Sequence, residues 1–325
     1  MNTQNKPKLK VAIYWGAACG GCCVSVLDVH EKVLDIVKAV DFVFWPIALD
    51  IKYKDVDAMP DKSIDVCLYN GAIRNSENEH IAKVLRKKSK VLVAYGSCAH
   101  LGGIPGLANL TTKEEIFRRA YEESESTVNP DKIRPTTETK MPEGTLTLPH
   151  MYNDVKTLAQ TVQVDYFIPG CPPQTERLVE VLMLIIEGKP LPPAGSVVGA
   201  LEKTLCDTCP RTKSDKKLVK EFKRPWQVLD DGITCLLEQG IICMGPSTRG
   251  GCGARCISGN YPCRGCYGPP TDSPDPGAAM MSAIGSMMDV EKDEDIKKIV
   301  EQVVDPAGTF YRFSVPGSIL RRALK

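Results

Sequence analysis

Fourteen cysteines in 325 residues are the part of this sequence that can do chemistry. Three stand together in W-G-A-A-C-G-G-C-C-V-S, as Cys19, Cys22 and Cys23. Cys98 lies in Y-G-S-C-A-H-L-G-G-I-P-G and Cys171 in I-P-G-C-P-P. Eight more fall between positions 206 and 266: Cys206, Cys209, Cys235, Cys243, Cys252, Cys256, Cys263 and Cys266. Cys67, inside the apolar run I-D-V-C-L-Y, reads as an ordinary buried residue. Four thiolates are the usual complement of one 4Fe-4S cluster or one structural zinc. Two pairs, in L-C-D-T-C-P and P-C-R-G-C-Y, have the C-x-x-C spacing that lets neighbouring thiolates each hold one corner of a cluster. A zinc ribbon separates such pairs by about 15 to 20 residues. Here they stand at 206–209 and 263–266 with four further cysteines between, which favours iron–sulfur over zinc. No cysteine stands alone beside a persuasive histidine partner, so a catalytic thiol is disfavoured.

Lys plus Arg number 41 against 40 Asp plus Glu, a formal net charge of +1. That balance argues against nucleic acid or an anionic membrane as the main partner. No apolar run reaches the roughly 18 to 20 residues of a membrane span, and M-N-T-Q-N-K-P-K-L-K carries neither an apolar signal region nor twin arginines. The expected location is the cytoplasm, where thiols stay reduced instead of forming disulfides.

The elements that must position the thiols are read from periodicity. Strand-like runs lie at 10–15, 41–45, 64–69, 90–95 and 164–169, and helical patterns at 23–39, 77–88, 113–123 and 174–187. This alternation predicts a parallel sheet covered on both faces, an α/β fold of the flavodoxin-like, doubly wound kind. Residues 1–190 are expected to form that domain, with a boundary in G-K-P-L-P-P-A-G (188–195). Residues 196–325 are expected to form a mostly irregular second domain that needs metal coordination for stability. Only two helical patterns, 277–288 and 291–304, appear there. The polar, Pro- and Thr-rich stretch between Glu123 and His150 reads as a surface loop.

In an open α/β sheet, ligands gather outside the carboxyl ends of the strands. Cys19 and Cys22 follow the first strand, Cys98 the fourth and Cys171 the fifth, so three distant segments deliver four thiols to one sheet edge. Helix N-termini there offer free N–H groups to cluster sulfurs. His100, close to Cys98, has either a hydrogen bond to such a cluster or an ordinary loop role. His30 and His80 read as surface or packing residues, and Met280, Met281, Met287 and Met288 as helix packing.

C-G-G-C, G-S-C-A-H-L-G-G-I-P-G, I-P-G-C-P-P and the Cys-rich C-terminal region, in that order and over most of the chain, resemble the small, electron-transferring subunit of nickel–iron hydrogenases. The resemblance implies a proximal 4Fe-4S cluster on Cys19, Cys22, Cys98 and Cys171, facing the nickel–iron centre of a separate large subunit. It implies a distal cluster on Cys206, Cys209, Cys235 and Cys243, with Cys206 where many members carry histidine. It further implies a medial cluster on Cys252, Cys256, Cys263 and Cys266. Members with three cysteines at the medial site hold a 3Fe-4S cluster, and Cys256 supplies the fourth ligand of a 4Fe-4S one. The implied cofactors are thus three 4Fe-4S clusters. No catalytic residue is expected on this chain, which lacks the terminal C-x-x-C pairs that hold nickel in the large subunit.

The C-L-L-E-Q-G-I stretch and the expected lack of an export signal look most like the gamma subunits of methyl-viologen-reducing, deazaflavin (F420)-non-reducing hydrogenases of methanogenic archaea. Those pass electrons to an iron–sulfur delta subunit and on to heterodisulfide reductase. The gamma subunit of a deazaflavin-reducing hydrogenase and a zinc-stabilised scaffold are the alternatives. Two departures stand out. Asn70, in N-G-A-I, occupies a place where members often carry an acidic residue. The Cys22–Cys23 pair is similar to the tandem cysteines of the cluster-bearing subunit of respiratory complex I, which makes Cys23 a rival to Cys19 as a ligand. That subunit lacks the two C-terminal clusters.

Overall fold

The computed structural model describes residues 7–215, 219–273 and 275–321. Its first half runs β1 (Leu9–Trp15), α1 (Gly21–Leu27), α2 (Val33–Ala39), β2 (Val40–Phe44), α3 (Tyr53–Ala58), β3 (Ile64–Asn70), β4 (Ile73–Asn75), α4 (Ser76–Lys88), β5 (Ser89–Tyr95), α5 (Ser97–Leu101) and α6 (Lys113–Tyr121). There follow β6 (Glu138–Met141), β7 (Gly144–Thr147), β8 (Met151–Lys156), β9 (Tyr166–Ile168), α7 (Thr175–Ile186) and β10 (Ser196–Val197). The remainder is irregular, with short 3-10 turns and α8 (Arg255–Ser258), α9 (Pro276–Met287), α10 (Asp293–Glu301) and α11 (Pro306–Phe310).

Six strands form one parallel sheet in the order β10-β9-β5-β3-β1-β2. From β1 the chain steps outward to β2 on one side, then through β3 onward on the other, as in a flavodoxin-like doubly wound sheet. Alternate side chains face opposite sides. Val11, Ile13, Val66, Leu68, Val93 and Tyr95 enter one core with Val26 of α1 and Leu178 of α7. Ala12, Tyr14, Cys67, Tyr69, Leu92 and Ala94 enter the other with Ile81 and Leu85 of α4. Both faces are covered, which is why the central strands read as near-continuous apolar runs.

Several local departures from the periodicity have physical causes. The pattern over 23–39 splits into α1, a 3-10 turn (His30–Lys32) and α2, with His30 held at φ 54°, outside the right-handed helical region. The stretch expected as a loop contains the β6–β7 hairpin, whose strand residues are all exposed. It buries nothing, so no apolar alternation marks it. β4 and β8 pair as a separate antiparallel ribbon. β10, at two residues, is too short to show a period, yet it completes the sheet beside β9.

Beyond β10, single bridges such as Thr204–Arg249 and Lys223–Ile241 replace ladders. A third core gathers Leu205, Leu236, Leu237, Ile241, Met244 and Met280, and it includes Cys243 and Cys263. Cys209, Cys235 and Cys252 pack against it. Asp275 caps α9 by accepting from the Ala278 N–H at 2.9 Å. Met280 is fully buried, Met287 and Met288 pack on the core and Met281 is 51% exposed, the distribution of an ordinary packed helix.

Leu85, with no exposed surface in the β3/β5/α4 core, sets a test of this packing. Leu85→Ala should destabilise the chain by about 2–5 kcal/mol. Leu146→Ala, at a hairpin side chain that is 63% exposed, should stay within about 0.5 kcal/mol of the parent. Denaturant unfolding of both variants measures the contrast.

Candidate metal centres

β1, β5 and β9 all end at the same sheet edge, and the loops that follow them are stitched together. The Gly16 N–H donates to the Asn70 carbonyl at 2.7 Å and Ala17 bridges Ala72, which fastens the loop after β1 to the loop after β3. The Ser97 N–H and hydroxyl both donate to the Gly170 carbonyl, at 2.8 and 2.9 Å, which fastens the loop after β5 to the one carrying Cys171. This stitching gathers Cys19, Cys22, Cys98 and Cys171. Burial first, then the neighbouring Cys98, Cys171 and Cys19, lift the Cys22 thiol above its ordinary value. Burial, then Cys171 and Cys19, push Cys98 up to about 12. Burial and Cys19 raise Cys171 as well.

The glycines around these thiols are required by space. A Cβ on Gly96 would collide with the Cys22 Sγ, and one on Gly103 would collide with the Cys98 Sγ. Both have positive φ, 88° and 58°.

Cys23 faces elsewhere. Its thiol is fully buried in the core that contains Trp45, and it accepts a hydrogen bond from the Asn70 Nδ2 at 3.2 Å. The same Nδ2 donates to the Tyr14 carbonyl at 2.7 Å. An ionised carboxylate at position 70 could make neither bond, because it has no proton to donate. Asn70 and Cys23 therefore belong together. His100 packs its ring on Phe167, with centroids 4.7 Å apart. Burial first and Arg249 second push its pKa down to about 3, so the ring is neutral. His30 and His80 are exposed.

The eight downstream cysteines form two further groups. Cys206, Cys209, Cys235 and Cys243 line one small cavity of about 20 Å³, together with Arg211 and Lys213. Cys252, Cys256, Cys263 and Cys266 line another of about 400 Å³, with Cys171 also on its wall. The three groups are contiguous. The Cys263 N–H donates to the Cys243 Sγ at 3.3 Å, and the Ser97 hydroxyl donates to the Cys266 carbonyl at 2.5 Å. Burial leads in raising Cys206 to about 12, Cys243 to about 11 and Cys266 to about 12, and neighbouring thiols add to it.

Such thiols stay neutral at pH 7 unless cations are bound, because metal ligation requires the thiolate. The donor set is soft sulfur throughout, in groups of four, which fits iron–sulfur centres. Among the described residues, no three His, Cys, Asp or Glu side chains converge as one ion requires.

Residues 19–185 match the family model described as NADH ubiquinone oxidoreductase, 20 Kd subunit. The match ends before the C-terminal cysteines, but relatives align over nearly the full length of the chain. An iron-sulfur subunit of the F420-non-reducing hydrogenase of Archaeoglobus profundus is 42% identical over 97% of this chain and 99% of its own length. Its counterpart in the F420-non-reducing hydrogenase of Methanothermobacter marburgensis is 40% identical over 98% of each. The chain belongs to the nickel–iron hydrogenase small-subunit family. A reduced, active form of the Ni-Fe-Se hydrogenase from Desulfomicrobium baculatum shares the fold, with a TM-score of 0.51 at 20% identity, covering 82% of this chain and 96% of that one.

As a hydrogenase small subunit, the chain has an electron-transfer role within an oxidoreductase, in a family that carries iron–sulfur clusters and pairs with a large subunit. Among its described residues no helix is long and apolar enough to cross a membrane.

One part of this small subunit's site is not visible in the cysteine pattern. Arg211, two residues past Cys209, donates to both carboxylate oxygens of Asp230 at 2.7 and 2.6 Å, to the Thr234 carbonyl at 2.9 Å and to the Asn260 Oδ1 at 3.0 Å. These bonds join the segments that carry Cys209, Cys235 and Cys256. The pair is 3% and 13% exposed at its side chains. Arg211 holds the Asp230 carboxyl well below the usual carboxylate range.

Arg211→Ala should cost roughly 3 kcal/mol, because it strands a half-paired carboxylate. The parent's contribution is full above about pH 4, the ordinary aspartate value, and is lost as pH falls through the lower folded value. Unfolding measured from pH 7 down to about pH 2 should show the onset of that acid-linked loss below about pH 4 in the parent and a smaller one in the variant.

Proposed function

We propose that this chain relays electrons from dihydrogen oxidation on a large subunit through three 4Fe-4S clusters to an iron–sulfur delta subunit and a heterodisulfide reductase, in the cytoplasm. The observation that carries this reading is the unbroken string of three four-thiol groups from the sheet edge into the C-terminal part. Cys19, Cys22, Cys98 and Cys171 would hold the proximal cluster. Cys252, Cys256, Cys263 and Cys266 would hold the medial one, and Cys206, Cys209, Cys235 and Cys243 the distal one. Bound there, each cluster supplies a one-electron site whose potential is set by its hydrogen bonds and burial.

In this reading residues 1–190 and 196–325 act as two domains, the first presenting its thiols to the large subunit. Trp15, Val24 and Leu27, between 41% and 54% exposed at the end of β1 and on α1, give that edge the apolar character of a docking face. The full-length relatives, which belong to F420-non-reducing hydrogenases, favour that type over a deazaflavin-reducing one.

The deciding measurement is anaerobic iron and acid-labile sulfide content with EPR, on the chain purified with its partners. About twelve irons per chain are expected, four for each cluster, with nickel in a partner. Zinc without sulfide would sink the reading and leave the fold intact. Cys19→Ala should lower the iron by about four per chain, and Cys23→Ala should leave it unchanged. Equal losses from both would overturn the assignment of Cys19.

A further inference from the structure

Tyr267 is 2% exposed, and its hydroxyl has no hydrogen-bond partner among the described residues. The side chain forms part of the wall of the 400 Å³ cavity that Cys252, Cys256, Cys263 and Cys266 also line. No other buried, unpartnered polar group of the described residues lies on that wall. The Gln174 main chain approaches the hydroxyl outside hydrogen-bond geometry. A closer approach would still leave the hydroxyl proton unused, since an N–H can only donate to that oxygen.

A buried hydroxyl without a partner is costly, and such a group in a folded protein calls for an explanation such as a bound ion. Nothing in the cavity's apolar lining requires a phenol there, since phenylalanine would fill the same volume. Arg264 lines the same cavity with its guanidinium over the Tyr261 ring, 5.9 Å from the centroid. Asp28 is the one carboxylate on the wall among the described residues. Two arginines, Arg255 and Arg264, stand on this largely apolar wall against that one carboxylate, a balance that suits an anionic centre.

We propose that the Tyr267 hydroxyl donates its proton to a sulfur of the centre held by Cys252, Cys256, Cys263 and Cys266, and that this bond raises the centre's reduction potential. The inference rests on the cluster reading above. Reduction adds one electron, and so one negative charge, to a thiolate-bound centre. A hydrogen bond to its sulfur strengthens as that charge grows. The proton stays on the phenol throughout, and the electron comes from and leaves to the neighbouring centres. Tyr267 is a positioning residue in this scheme, acting on potential and not on ligation.

The test is an EPR-monitored redox titration of the complex carrying Tyr267→Phe, preceded by iron and sulfide content of the parent. A parent without iron and sulfide would overturn the cluster reading itself and is distinguished at that step. With the parent loaded, the variant should keep full iron and sulfide while one midpoint shifts to lower potential. At fixed ambient potential the reduced-to-oxidised ratio of that centre should fall about tenfold, equal to about 59 mV for one electron. An unchanged set of midpoints in a fully loaded variant would refute the bond. If the variant fails to load, the same titration is run on the complex grown with 3-fluorotyrosine, whose more acidic hydroxyl is the stronger donor: a rise of that one midpoint supports the bond, and unchanged midpoints reject it.

Discussion

Cysteine sulfur binds metal only as thiolate, and a thiolate taken out of water is held only beside positive charge. Twelve sulfurs stand in three neighbouring groups in this chain. Cys22, Cys98, Cys243 and Cys263 are buried, and burial and mutual repulsion both keep their protons on. Any one group could relieve that by opening to water. The stitched loops prevent it: Ser97 alone ties the β5 loop to the Gly170 carbonyl and to the Cys266 carbonyl. The fold therefore holds the sulfurs in place and leaves their charge to be offset by what they bind.

The two halves of the chain meet this constraint differently. In the first, the two apolar cores on either side of the sheet take in only one of the four sheet-edge thiols, Cys22, and Cys19, Cys98 and Cys171 sit outside them at the strand ends. In the second, Cys243 and Cys263 are members of the core, and Cys209, Cys235 and Cys252 pack against it. Few ladders and short helices share the load there. Under the proposed cluster binding, binding energy at those sulfurs would be folding energy for the second half, whereas for the first half it would mainly order loops on an existing sheet.

That difference also explains how much could be read from the sequence. Five of the six sheet strands and the placement of Cys19, Cys22, Cys98 and Cys171 after three of them were legible, because a parallel sheet writes its buried faces as apolar runs. The motif order also set apart Cys206, Cys209, Cys235 and Cys243, which line one cavity, from Cys252, Cys256, Cys263 and Cys266, which line another. What escaped was set by single residues or by contacts distant in sequence. The φ of 54° at His30 splits one helical pattern, and the fully exposed β6–β7 hairpin leaves no apolar signature. The Arg211–Asp230 lock spans segments that no periodicity connects. Asn70 looked like a departure until the structure paired it with Cys23, which also separated Cys23 from the sheet-edge group.

Cys23 and Cys22 show how a one-residue step on a helix divides two roles. Both lie in the first turn of α1, where successive side chains point about 100° apart. Cys22 turns toward Cys98 and Cys171, and Cys23 turns into the core toward Trp45 and Asn70. The second thiol's sulfur accepts a hydrogen bond from the Asn70 Nδ2 at the end of β3. A carboxylate there would meet Cys23 with acceptors alone. Adjacent cysteines are thus not interchangeable here: the direction of α1, fixed by Gly20 at φ 89°, selects which of the two reaches the sheet edge.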